Sequence, residues 1–238
     1  VRKTLLFLYL ILISSFYIFS FSFSPIVQDF DSTGNGKVKT FRIKNENDEA
    51  IAVQITMLTR NMSRLGEEVN SDASELFTIY PHQLILQPDD SQSIRVQWNG
   101  PEINETERAF RIIAEQLPIS FNQDNTNKGQ LNIVYKYIGS VYVIPEKPYS
   151  ELFLESVKIE NDLLRLTVKN RGTGHTILED IVVTLNDGTH TVQLTYDELP
   201  GMAGENVLAG LSRDFLIEKP SQLSGEEING ELSYKETR

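Results

Sequence analysis

From residue 37 onward the chain never sustains a helical apolar period; its apolar residues come in short runs, often alternating with polar ones, broken by turn chemistry. "KVKTFRIKN" (37–45) alternates, with Val38, Phe41 and Ile43 as apolar positions, and "AIAVQITML" (50–58) follows the turn-like "NENDE". "ELFTIYP" and "QLILQP" are stopped by Pro81 and Pro88, as edge or sheet-switching strands are. "SQSIRVQWNG", "RAFRIIAEQLP" and the opening "FSFSPIVQDF" bring the first set to about seven strands, the count of an antiparallel immunoglobulin-type β-sandwich.

A boundary falls at "IPEKPYS" (144–150), where two prolines bracket charged residues and make a short, stiff connector. The β pattern then restarts with "ELFLESVKIE", "DLLRLTVKNRG", "ILEDIVVTLNDG" and "HTVQLTYDEL", and closes with "NVLAGLSRDFLIEKP" and "INGELSYKE". "NDG" at 186–188, before "THTVQLTY", is a hairpin turn. The expected fold is all-β, with one sandwich over residues 23–145 and a smaller one over 149–238.

The N-terminal "VRKTLLFLYLILISSFYIFSFSFSP" has Arg2 and Lys3 ahead of an apolar run from Leu5 to about Phe19. Ser20-Phe21-Ser22 supplies a small-x-small site, so residues 1–22 read as a secretory signal, with an uncleaved membrane anchor as the alternative. The remainder is expected to be exported and periplasmic. Hydrophobic residues make up 40% and charged residues 23%, which excludes a disordered chain and a multi-span membrane protein. A formal net charge of -11 argues against nucleic acid and anionic membranes as partners. With no cysteine, there are no disulfides, thiolate nucleophiles or cysteine-bound zinc.

Signals of catalysis are weak. His82, His175 and His190 are scattered without metal-ligand spacing and read as surface or turn residues. "PDD" (88–90) reads as a solvated turn, and "GTG" (172–174) lacks the strand–helix context of a phosphate loop. No enzymatic activity, metal or other cofactor is expected.

The stretch "GQLNIVYKYIGSVYVIP" (129–145) carries more information. Leu131, Ile133, Tyr135 and Tyr137 form one apolar face, with polar Asn132 and Lys136 between them, and from Val141 to Ile144 both faces turn apolar. Gly139 marks either a bulge or a close backbone approach. Read alone, the alternating face packs on its own core.

"FTIYPHQLILQPDDSQSIRVQWNG" followed by "ERAFRIIAEQLP" resembles the PapD-like periplasmic chaperones of the chaperone–usher pilus pathway. The likeness continues through "YIGSVYVIP", "LTVKNRGTGH" and "ENVLAGLSRDFLI", covering nearly all of the exported chain. It implies two immunoglobulin-like domains in an L shape, binding of pilus or fimbrial subunits that lack their last strand, and delivery to an outer-membrane usher. Donor-strand complementation of this kind is a form of strand addition. Leu131, Ile133, Tyr135 and Tyr137 then occupy the subunit-binding positions, and "FNQDNTNKGQ" (121–130) leads into the strand. An exported two-domain adhesion or scaffolding protein, keeping its strands for its own core, is the alternative.

The likeness breaks at one point. Many members hold the subunit's terminal carboxylate with an Arg on the first strand and a Lys on the last. Here the Lys position falls at Ser140, "FSFSPIVQDF" contains no Arg, and Ile144 stands where classical members carry Arg. The chain is therefore closer to a non-classical, archaic-like branch, with Lys136 and Arg111 as candidate replacement anchors. For Arg111 the structural alternative is a pair with Glu115 on the same strand face.

Overall fold

The computed structural model describes residues 21–118 and 133–235. The expected leader and the 121–130 loop therefore lie outside the described residues, apart from the leader's last two positions. The first eleven strands are β1 (Phe21–Ser24), β2 (Val27–Asp31), β3 (Val38–Asn45), β4 (Ile51–Thr59), β5 (Asn61–Met62), β6 (Glu68–Val69), β7 (Phe77–Tyr80), β8 (Gln83–Leu86), β9 (Ser91–Trp98), β10 (Arg108–Leu117) and β11 (Lys136–Ile144). One sheet has the order β1-β3-β9-β7 and the facing sheet β2-β11-β10-β4-β8, while β5 and β6 form a separate hairpin.

Alternation in the sequence becomes alternation in burial. On β3, Phe41 and Ile43 are fully buried, and on β9 Ile94, Val96 and Trp98 point inward between exposed polar neighbours. Phe30, Phe77, Trp98 and Phe110 meet edge-on or tilted, with centroids 5.0–5.9 Å apart. Trp98 donates its indole N–H to the Pro101 carbonyl, so the buried ring leaves no polar atom stranded.

The first domain begins earlier than the expected boundary at residue 23. Phe21 is fully buried and pairs with Asn45, so the opening strand needs both Phe21 and Ser22. The chain then crosses between sheets at Pro25 and Ile26, from β1 in one to β2 in the other. Gly139 makes a close approach and no bulge. The β10–β11 register is unbroken, and a Cβ at 139 would meet Ile112 at 2.8 Å and the Ile26 carbonyl at 3.0 Å.

The remaining strands are β12 (Leu152–Glu160), β13 (Leu163–Asn170), β14 (Thr176–Ile177), β15 (Val182–Asn186), β16 (Thr191–Thr195), β17 (Asn206–Val207), β18 (Ser212–Glu218) and β19 (Asn229–Ser233). They form sheets β12-β13-β18 and β16-β15-β19 with a small β14-β17 pair, around a second core that includes Leu164, Leu166, Val183, Leu185 and Phe215. The molecule is thus two immunoglobulin-like sandwiches in series. Among the described residues no helix is long and apolar enough to cross a membrane.

The expected "NDG" turn closes the β15–β16 hairpin, whose last ladder pair is Asn186 with Thr191 and whose Gly188 has φ 88°. Its Asp187 side chain is 1% exposed. One carboxylate oxygen accepts the N–H groups of Thr189 and His190, the other those of Ser224 and Gly225. The N–H groups of His190, Thr189 and Gly225 chiefly hold this carboxyl far below the usual carboxylate range. A depressed pKa gives stability that is complete above the unfolded value of about 4 and is lost as pH falls toward the folded value. The melting temperature should therefore decline below about pH 4. Asp187→Asn should lower it at neutral pH, since an amide N–H2 would face two N–H donors, and should flatten the acid limb. Melting curves across that range check both effects.

Candidate functional site

The two neighbours of β11 do not cover it equally. β10 runs antiparallel along its length, from Arg108 opposite Val143 to Glu115 opposite Lys136. β2 runs parallel to it only from Ser140, opposite Val27, to Ile144, opposite Asp31. Among the described residues, the β2 ladder therefore stops at Ser140, and Lys136 and Ile138 have a ladder neighbour on the β10 side only. Backbone direction follows from two hydrogen bonds. Gln116 N–H donates to the Tyr135 carbonyl at 2.9 Å, and Ser140 N–H donates to the Ile26 carbonyl at 2.8 Å. Because backbone groups alternate along a strand, Lys136 and Ile138 turn their N–H and C=O groups to the open side. Among the described residues this is an open strand edge at Lys136 and Ile138, a template for another strand.

Of the four expected binding residues, Leu131 lies outside the described residues and the other three differ in burial. Tyr135 and Tyr137 are half-buried against the first core. Tyr137 meets the fully buried Phe21 edge-on at 4.7 Å, closing the sandwich between β1 and β11, while Ile133 is 61% exposed. Ile26, Val27, Val134 and Ile138 are also exposed around the open edge. The face is continuous with the domain's own core at the tyrosines and free of it at Ile133.

The outer face of the same sheet carries both candidate anchors. Successive cross-strand pairs there are Arg111 with Ser140, Ile113 with Ile138, and Glu115 with Lys136. Arg111 is not the partner of Glu115. Its Nε and Nη2 grip the two oxygens of Glu68, with Nε to Oε2 at 2.9 Å, and its Nη1 donates to Ser140 Oγ at 2.5 Å. Glu68 reaches Arg111 from the β5–β6 hairpin, 43 residues away in sequence, which strand alternation could not disclose. Glu68 also accepts from Arg60 Nε at 2.7 Å. Burial opposes the charged form of Glu68, but Arg111 and Arg60 outweigh it and hold the carboxyl below its usual range. Lys136 is exposed at the open edge.

From this cluster a polar network runs into the second domain. Arg60 Nη1 donates to the Tyr142 hydroxyl at 2.8 Å, and Asn206 Nδ2 donates to the same oxygen at 2.9 Å. The His175 ring stacks on Tyr142 at 3.6 Å, and its Nδ1 lies 2.8 and 2.9 Å from the two oxygens of Glu107. His175 is not the surface residue its isolation in the sequence suggests; its side chain is 12% exposed and that of Glu107 1%. A sign of this contact was present in Tyr142, a hydroxyl in a run apolar on both faces, which needs a partner when buried. His175→Ala should therefore cost about 1–3 kcal/mol in denaturant unfolding, because it strips the imidazole contact from a buried carboxylate. His190→Ala, with a side chain 54% exposed, should stay within about 0.5 kcal/mol.

Residues 31–148 match the family model of the pili and flagellar-assembly chaperone, PapD N-terminal domain. No curated protein matches the chain in sequence. Among solved structures, the class 5 fimbriae chaperone CfaA aligns with a TM-score of 0.58 at 16% identity, covering 91% of this chain and 100% of that one. A chain of the Salmonella enterica SafA pilin–SafB chaperone complex aligns at 0.58 and 14% identity, covering 93% and 99%. A chain of the CsuC–CsuE chaperone–tip adhesion subunit pre-assembly complex, from the archaic chaperone–usher Csu pili of Acinetobacter baumannii, aligns at 0.57 and 14% identity, covering 82% and 89%. At these identities the likeness is one of fold.

Proposed function

We propose that the chain, whose residues 31–148 match the family model of pili and flagellar-assembly chaperones, is a periplasmic chaperone that captures pilus or fimbrial subunits on its β11 strand and passes them to an outer-membrane usher. One observation carries this reading: among the described residues, Lys136 and Ile138 of β11 have no ladder partner on the side away from β10, next to an apolar face that runs from the domain core out to an exposed isoleucine. A subunit lacking its final strand has the complementary need, since its groove leaves apolar side chains and backbone groups in water. Pairing with β11 satisfies the backbone, and Ile133, Tyr135, Tyr137 and Leu131 supply apolar surface. The reaction is binding and transfer, with no bond made or broken. Lys136 and Arg111, on one face of the sheet, are the cations within reach of a subunit's terminal carboxylate, in the manner of a non-classical branch of the family.

Burial of an Ile side chain contributes roughly 1.5–3 kcal/mol, and an Asp in its place also carries an unpaired charge into the groove. Ile133→Asp should therefore lower capture of a subunit co-expressed in the periplasm by at least about tenfold to a hundredfold, with an unchanged melt of the free protein. Tyr137→Asp should abolish capture and also lower the melting temperature, because that ring packs on Phe21. Normal capture by Ile133→Asp would refute the donor-strand reading.

Removing a charge-assisted contact should cost about tenfold to a hundredfold in affinity. Lys136→Ala tests this without touching the core, since the side chain is exposed. Unchanged capture at high and low salt would take Lys136 out of the site.

A further inference from the structure

The anchor cation is not simply exposed; it is held in one orientation by a carboxylate from elsewhere in the domain. A guanidinium has five N–H hydrogens and two edges that match a carboxylate. Glu68 occupies the side edge of Arg111, through Nε and Nη2, and Ser140 takes one hydrogen of Nη1. Among the described residues Arg111 makes no other hydrogen bond, which leaves one hydrogen each on Nη1 and Nη2 for a ligand. The side chain is 17% exposed, so solvent reaches it. Charge also favours an incoming anion: Glu68 is shared between Arg60 and Arg111, so two cations and one carboxylate leave a net charge of about +1.

Glu68 is in turn fixed by the second domain. Its hairpin continues into Arg64, whose carbonyl accepts the Asp214 N–H at 2.6 Å, and whose guanidinium lies 3.4 Å from Asp214 and 3.7 Å from Glu155. Met62 Sδ is 3.4 Å from Arg213 Nη1. Gly66, at φ 88°, packs so closely that a Cβ there would stand 2.2 Å from Arg213 Nη2. The hairpin is thereby clamped on the β18 strand of the second domain.

Resting on the reading that Arg111 meets a terminal carboxylate, we propose that Glu68 is the positioning residue of this anchor: it presents the free edge of the Arg111 guanidinium to the ligand, and the second domain sets that presentation through the hairpin. The sign of the effect separates this role from a competing one. Removing the Glu68 charge raises the local net charge from about +1 to about +2, which by itself strengthens anion binding. A weakening can only come from lost orientation.

The probe is an N-acetylated peptide of alternating valine and threonine, made with a free C-terminal carboxylate and again as the C-terminal amide. Binding of both to the full-length protein is measured by calorimetry, and the readout is the ratio of their affinities. The wild-type protein should prefer the carboxylate by about tenfold or more. Glu68→Gln should bring the ratio toward one while leaving the amide's affinity unchanged, because the Gln amide turns a donor toward Arg111. Gly66→Val keeps both charges, forces the hairpin and Arg213 apart, and should act in the same direction if Glu68→Gln fails to fold. A ratio that stays the same or rises in both variants overturns the proposal and leaves the anchor standing. A wild-type protein that binds both peptides equally, or neither, overturns the anchor reading and this proposal together.

Discussion

A β-strand presents N–H and C=O groups to each side in alternation, and at a sheet edge one set must meet water or another chain. On β11 the length of the exposed set is decided by the opening strand. The chain spends Phe21–Ser24 in one sheet, crosses at Pro25 and Ile26, and resumes beside β11 only at Val27. Proline has no N–H to give a ladder, so beyond the Ile26 carbonyl β2 does not continue upstream along β11. The boundary between the closed and open parts of β11 is therefore set by covalent geometry at the crossing. The open part coincides with the segment whose side chains pass from core to solvent.

That passage gives the strand two kinds of attachment. From Val141 to Val143 it is fully buried, held by ladders on both sides. At Tyr137 and Tyr135 the side chains rest on the rim of the core, and at Ile133 the side chain is exposed. A strand built this way is anchored at its C-terminal end however its N-terminal end is engaged. Tyrosine suits the intermediate positions, because a large ring can contact the domain's own core and still present its polar tip to solvent.

Much of this was legible in the sequence where the cause is local. Alternation located β3, and "NDG" gave the hairpin at Asn186, whereas of the alternating Leu131–Tyr137 face only Tyr137 falls within β11. What the sequence withheld is what depends on distant pairing. The side of Gly139 that admits no Cβ is defined by Ile112 and the Ile26 carbonyl, from two other strands. The partner of Arg111 is set by how a two-stranded hairpin folds back over the sheet, and strand periodicity offered only Glu115. His175 looked isolated because its partners, Glu107 and Tyr142, come from the other domain. The domain boundary was placed two residues late because small residues at a leader's end look alike whether or not their phenylalanine neighbours are buried.

The contacts that join the domains are mostly directional. Apolar contact is insensitive to orientation, so two sandwiches joined only by it could slide over one another. A backbone N–H aimed at a carbonyl, as Asp214 to Arg64, or an imidazole stacked at 11° on a phenol ring with its nitrogen on a carboxylate, loses energy when the angle changes. Tyr142 sits where these contacts meet: its ring carries His175, and its hydroxyl accepts from Arg60 of its own domain and Asn206 of the other. It belongs to β11, two residues beyond Ser140. The strand with the open edge is thus the strand whose other end contacts the second domain, and Arg60 links that end to Glu68 and so to Arg111. Four hydrogen bonds through five side chains, Asn206, Tyr142, Arg60, Glu68 and Arg111, connect the second domain to the sheet face next to the open edge.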